Sequence, residues 1–206
     1  MATLKGTQTE KNILTAFAGE SQARNRYDMF ASAANKEGLQ AIGRIFAETA
    51  IQEKEHGARL FKMLDGGELE ITAAFPAGKV GTTLDNLKAA AFGEHEENTV
   101  MYPKFAEIAA AEGFDAIAEV LKYIGFAERY HESRFRALIE GIEKKTLFKQ
   151  PVAVMWRCTN CGNWHIGVEA PEICAACAHP QGYFISEGTI NRCDTNEGFC
   201  EYAARD

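Results

Sequence analysis

The sequence predicts a mainly α protein: a four-helix bundle with a long crossover, followed by a small domain built around four cysteines. Three observations carry this expectation. Residues 7 to about 145 keep a helical periodicity broken by one proline-bearing loop, all six cysteines fall after residue 157, and the helical part repeats itself 75 residues along the chain. The expected division is 1–147 for the bundle, 148–187 for the four-cysteine domain and 188–206 for a C-terminal extension of unknown role.

The periodicity places helices over 8–36, 39–64, 83–112 and 114–144. Gly38 and Gly113 mark short turns, Thr82 or Thr83 is the expected N-cap of the third helix, and Pro103 predicts a kink within it. The loop DGGELEITAAFPAGKVG at 65–81 is long enough to cross the bundle. Each helix carries one inward stripe with steps of mostly three and four residues. The stripes are Ile13, Phe17, Glu20, Tyr27, Ala31; then Ile42, Phe46, Thr49, Glu53, His56, Leu60, Met63. The third runs Leu84, Leu87, Ala91, Glu94, Glu97, Met101, Phe105, Ile108, and the fourth Ile117, Leu121, Ile124, Glu128, His131, Phe135, Leu138, Ile142. All four helices therefore point acids into the core.

The repeat makes the two halves equivalent hairpins. Tyr27, Phe30, Glu37, Gly38, Ile42, Glu53, His56 and Arg59 return as Tyr102, Phe105, Glu112, Gly113, Ile117, Glu128, His131 and Arg134. Glu20 precedes Tyr27 by seven residues, whereas Glu94 precedes Tyr102 by eight. The extra residue predicts a π-bulge between 94 and 102.

Glu20, Glu53, Glu94, Glu97 and Glu128 sum to −5. Burying them without compensation is prohibitive, and two ferrous or two ferric ions bring the sum within one unit of neutrality. Glu53-x-x-His56 and Glu128-x-x-His131 each set an oxygen and a nitrogen donor on one helix face, the pattern of paired-metal carboxylate bundles. One such pair arises readily by chance; two in repeat register, both inward, do not. For the other inward glutamates, Glu97 included, the alternative is a solvated helix edge or a salt bridge, for instance with Arg24. Tyr27 and Tyr102 are either core aromatics or donors that orient the carboxylates. His95, one residue off the Glu94 line, is a surface residue or one that supports the site from behind.

Cys158-x-x-Cys161 and Cys174-x-x-Cys177, twelve residues apart, set four thiolates for a tetrahedral ion, and zinc or iron satisfies that geometry. Trp156, Trp164, Tyr183 and Phe184 are the aromatics expected to pack beside it. Cys193 and Cys200 fall in the tail, read as a solvated or packing segment rather than a redox pair.

Composition narrows the function. The 206 residues are 46% hydrophobic and 25% charged, with a formal charge of −7 and no dense basic run, which argues against nucleic acid or anionic lipid as partner. The absence of a long apolar run and of the basic–apolar–small order of a signal peptide makes the cytoplasm the expected location.

Taken together, LKGTQTEKNILTAFAGESQARNRY, the two Glu-x-x-His pairs, Glu94-x-x-Glu97, MYPKFAEIA, AAFPAG, WRCTNCG and CAACAHP resemble the rubrerythrin family over about residues 3–187. The resemblance implies a ferritin-like di-iron four-helix bundle followed by a rubredoxin-like four-cysteine iron domain, with about three irons per chain. It implies a peroxidase that reduces hydrogen peroxide to water in oxidative-stress defence. Electrons would come from rubredoxin or a pyridine-nucleotide-linked reductase, in a homodimer or larger assembly. By position it assigns Glu20, Glu53, His56, Glu94, Glu97, Glu128 and His131 to the iron pair and Cys158, Cys161, Cys174 and Cys177 to the single iron. It also implies a ligand exchange between His56 and Glu97. Ala175 and Ala178 depart from the proline and glycine usual at those positions. A ferroxidase or iron-handling protein is the alternative on the same bundle, and a zinc-ribbon binding module the alternative that leaves the inward acids unexplained.

Overall fold

The structure, a computed structural model, describes residues 3–186 and 188. The expectations for Cys193 and Cys200 lie outside the described residues. Five α-helices, α1 (Gln8–Lys36), α2 (Gln40–Phe61), α3 (Thr83–Glu96), α4 (Tyr102–Ala111) and α5 (Asp115–Glu143), make the bundle. The expected third helix is divided by a π turn, Glu97–Met101, that joins α3 to α4. The second helix ends three residues early because Met63 and Leu64 turn back with tighter bonds to Leu60 and Phe61. Pro103 falls at the second position after the π turn, where the hydrogen-bond ladder has already shifted and its missing N–H costs least.

The caps follow from local chemistry. Thr7 accepts from the Glu10 backbone, and Thr82 and Asp85 form a reciprocal capping box. At the two hairpin turns Gly38 (φ +78°) and Gly113 (φ +83°) take the left-handed conformation that lets Leu39 bond back to Ala34 and Phe114 to Ala109. The hairpins are also tied to each other. Glu37 accepts from the Thr83 backbone at the start of α3, and Glu112 accepts from the Gln8 and Thr9 backbones at the start of α1. Each carboxylate ends one hairpin's first helix and caps the first turn of the other's, where helix N–H groups are unpaired and the dipole favours an anion.

Two apolar clusters fill the bundle. One holds Tyr27, Phe30, Phe46, Leu87, Phe135 and Leu138; the other holds Ile13, Leu60, Tyr102, Leu121 and Ile124. Glu20, Glu53, His56, Glu94, Glu128 and His131 fall in the sequence gaps between the two clusters on every helix, so the ionisable groups form one layer between two dry ones. The crossover runs beside α1, where Gln22 bonds the Pro76 carbonyl.

The C-terminal part is a three-stranded antiparallel sheet in the order β2-β1-β3, from β1 (Lys149–Cys158), β2 (Trp164–Glu169) and β3 (Phe184–Ser186). Trp156 is wholly buried with Cys158, Cys174 and Phe184, and its indole N–H donates to the Gly167 carbonyl at 2.9 Å. Trp164, expected in this core, is 61% exposed. It pairs across the strands with Arg157, the neighbour of Trp156, and alternation puts that pair on the outer face. The sheet domain meets the bundle at the α1–α2 turn: Gly182 abuts the Gly38 carbonyl, and Ile185 joins the first bundle cluster.

Candidate metal centres

The bundle centre is built by one glutamate from α1 and α3 and by a glutamate–histidine pair from α2 and α5. Donor atoms of Glu20, Glu53, His56 and Glu128 lie within 4.8 Å of one another, and so do those of Glu53, Glu94, Glu128 and His131. The two groups share Glu53 and Glu128. Glu53 turns Oε2 to His56 Nδ1 (3.0 Å) and Oε1 to His131 Nδ1 (3.1 Å); Glu128 turns Oε1 to His56 (2.9 Å) and Oε2 to His131 (2.8 Å). Each shared carboxylate thus presents one oxygen to each half of the site, an arrangement that would let it hold two ions.

Tyrosines brace the outer carboxylates from the opposite hairpin. Tyr27 donates to Glu94 Oε1 and Tyr102 to Glu20 Oε1, which leaves Oε2 of each turned inward. Both tyrosines are therefore donors as well as core aromatics, and burial holds both phenols well above their usual pKa. His131 Nε2 meets Gln52 Oε1 at 3.0 Å, which makes Nε2 a protonated nitrogen and turns Nδ1 into the site. Gln52 is a partner that sequence reasoning missed; its repeat counterpart is Ala127, so the periodicity carried no signal for it.

The π turn carries its own support. Asn98 donates both to the Glu94 carbonyl (2.6 Å) and to Glu132 Oε2 (2.7 Å), and Thr99 Oγ1 donates to the His95 carbonyl (2.6 Å). These side chains satisfy carbonyls at the point where the ladder slips. Glu132 also accepts from His95 and from Arg136, so His95 is a half-exposed supporting residue. Glu97 sits on this turn, partly exposed, and is not in either group of four donors.

The electrostatics are those of a site made for cations. Burial and the Glu128 carboxylate raise Glu20 well above the usual range; burial and Glu53 push Glu94 up to about 8. Desolvation and then Glu94 likewise raise Glu97. Burial also works to raise Glu53, but hydrogen bonds from His131 and His56 outweigh it and bring it down to about 2. Burial would lower His56, yet its bonds to Glu128, Glu20 and Glu53 carry it up to about 12. On Glu20, Glu94, Glu97 and His56, protons stand in for positive charge.

Iron fits these residues on a direct test. Glu20 Oε2, Glu53 Oε1, Glu94 Oε2, both Glu128 oxygens and His131 Nδ1 are buried and crowd one another without a well-aligned hydrogen bond. Orphaned buried polar atoms are costly, and such a cluster is explained by cations between them. At the second centre Cys158 and Cys177 Sγ are 3.8 Å apart and Cys161 and Cys174 Sγ 3.7 Å. A tetrahedron with metal–sulfur bonds of about 2.3 Å has edges of about 3.8 Å. The His179 backbone N–H brings the Cys177 thiol down to about 6, toward the thiolate form a metal needs.

A carboxylate-paired bundle joined to a four-cysteine sheet defines a two-centre, non-haem iron redox protein. The family description "Rubrerythrin" matches residues 11–139, and "Rubrerythrin, rubredoxin-like domain" matches 156–185. The chain is similar to rubrerythrin of Nitratidesulfovibrio vulgaris, 56% identical across 89% of this chain and 96% of that one. It is similar to rubrerythrin of Porphyromonas gingivalis at 54% identity, covering 88% and 90%. Among solved structures, fully reduced, all-ferrous nigerythrin superposes with a TM-score of 0.60 at 29% identity, covering 89% and 91%. The chain belongs to the rubrerythrin family, and its cofactors are a di-iron carboxylate centre and a rubredoxin-like four-cysteine centre. No helix among the described residues is long and apolar enough to cross a membrane.

Proposed function

We propose that the protein is a cytoplasmic di-iron peroxidase that reduces hydrogen peroxide to water with two electrons and two protons. The observation that carries this reading is the pair of overlapping donor groups sharing Glu53 and Glu128, with a fifth carboxylate, Glu97, on the adjoining π turn. When bound, the iron pair supplies both electrons to the O–O bond at once, and the four-cysteine iron restores them singly. Glu20, Glu53, His56, Glu94, Glu128 and His131 are the proposed ligands of the reduced pair, and Cys158, Cys161, Cys174 and Cys177 those of the single iron. One position of the pair would be held by the neutral His56 imidazole in the reduced state and by the Glu97 carboxylate in the oxidised state. That exchange adds an anionic donor as positive charge rises. Tyr27 and Tyr102 keep Glu94 and Glu20 oriented through the cycle.

Electrons enter from rubredoxin or a pyridine-nucleotide-linked reductase, and the working unit is a homodimer or larger assembly in which one chain's four-cysteine centre serves the partner's iron pair. The test is rapid mixing of the anaerobically reduced protein with stoichiometric hydrogen peroxide or with air-saturated buffer. Oxidation by peroxide that outpaces air supports the peroxidase; irons oxidised only by oxygen would establish the ferroxidase reading instead.

A further inference from the structure

The four thiolates are not equivalent in what they accept. Three receive backbone N–H groups from their own turns: Asn163 donates to Cys161, Ala176 and Cys177 to Cys174, and His179 to Cys177. Among the described residues, Cys174 has in addition a side-chain donor from the opposite turn, Asn163 Nδ2, at 3.6 Å, whereas the His179 side chain on Cys177 belongs to that cysteine's own turn. Asn163 is well held for this purpose. Its carbonyl accepts from the Cys158 backbone at 2.8 Å, so the residue is part of the first cysteine turn while its amide reaches a sulfur of the second. Cys174 is 1% exposed, which shields the bond from competing water.

We propose that Asn163 is a tuning residue that raises the reduction potential of the four-cysteine iron through the Cys174 sulfur. Reduction takes one electron from the donor and converts ferric to ferrous iron within four thiolates, so the net charge of the centre goes from −1 to −2. The added charge spreads onto the sulfurs, and an N–H dipole aimed at one of them stabilises the reduced state more than the oxidised one. A hydrogen bond to a charged acceptor is strong enough to change the reduction equilibrium constant by about tenfold, or ~59 mV for a one-electron couple. The inference rests on iron occupying this centre and, for its purpose, on the relay proposed above. A raised potential lets the centre fill from a mild reductant and empty only into a strongly oxidising acceptor.

The test is a spectroelectrochemical titration of the full-length, iron-loaded protein, following the red ferric–thiolate band, for wild type, Asn163→Leu and Asn163→Asp. Both variants are expected to need a potential lower by about the tenfold equivalent, with the aspartate, which replaces a donor by an anion, at least as low as the leucine. The band itself is retained, because neither change removes a ligand. Wild-type protein loaded with a spin-active cadmium isotope supplies an independent reading that needs no variant: a scalar coupling from the metal to an Asn163 side-chain N–H. An aspartate variant titrating with wild type, or absence of that coupling, overturns the proposal. Neither reading depends on peroxide turnover, so the proposal and the peroxidase reading fail separately.

Discussion

The two metal centres solve the same problem, holding cations in protein, by opposite routes. The four thiolates come from two turns twelve residues apart, with donors supplied mostly by the backbone of those turns. The bundle centre draws on four helices spread over more than a hundred residues, and its orienting partners come from the opposite hairpin: Tyr27 on Glu94, Tyr102 on Glu20, Gln52 on His131. The small sheet has three strands and one modest apolar cluster, whereas the bundle has two clusters above and below its ionisable layer. The contrast teaches that the first centre makes its domain, while the second is made by its domain.

The largest expected effect separates them at once. Removing metal with a strong chelator is expected to unfold the three-stranded sheet domain, because so small a core depends on its ion. The bundle keeps its helices. Fluorescence of buried Trp156 together with far-ultraviolet circular dichroism checks this; loss of helicity in parallel with the tryptophan change would erase the distinction drawn here.

A change confined to the bundle centre should leave the other intact. Glu97→Ala is expected to slow peroxide turnover on the order of 10–100-fold, as loss of a group that tunes a metal site does. The red thiolate band and the helical content stay as in wild type. Undiminished turnover would remove Glu97 from the cycle.

The coupled charges of the bundle centre predict a pH dependence for the metal-free protein. Glu94 is raised to about 8, so the folded chain holds a proton that the unfolded chain releases near the ordinary carboxylate range. His56, raised to about 12, holds its proton after the unfolded imidazole has lost its own. Both contributions are present at low pH and are lost as pH rises, from about 4.5 to 8 for the acid and from 6.5 to 12 for the imidazole. The melting temperature of the metal-free bundle should therefore fall between pH 6 and pH 9, and ferrous loading in weak buffer should release protons. A melting temperature that rises over this range would contradict the charge arrangement.

The smallest effect lies in the cysteine domain. Ala178 has φ +56°, the left-handed region where a Cβ is strained, and its backbone N–H closes the turn on the Cys174 carbonyl. Ala178→Gly should stabilise that domain by about 1 kcal/mol without altering the bundle, as measured by chelator-induced unfolding. The sequence shows only a departure from the glycine usual at this position; the angle shows that it is strained.

Much of the fold was legible because its signals are local. Stripes at helical spacing, the glycines at 38 and 113, and the offset of eight instead of seven between Glu94 and Tyr102 each describe the chain's own neighbours, and helices and π turns are made by neighbours. The four cysteines were legible for the same reason. Glu37 and Glu112 stood in the repeat without an evident role, because capping a helix of the other hairpin is visible only when the hairpins meet. Trp164 was misplaced since composition does not say which face of an edge strand is covered.

The sequence by itself determined which residues carry the chemistry: donor type, spacing and inward periodicity follow from covalent order and helix geometry. Only the tertiary structure decided how those donors are shared. That Glu53 and Glu128 each face both histidines, that the tyrosines cross between hairpins, and that Asn98 and Glu132 brace the π turn under Glu97 are relations between elements far apart in the chain. Those relations are set by the packing of two apolar clusters around one charged layer, and no local pattern encodes them.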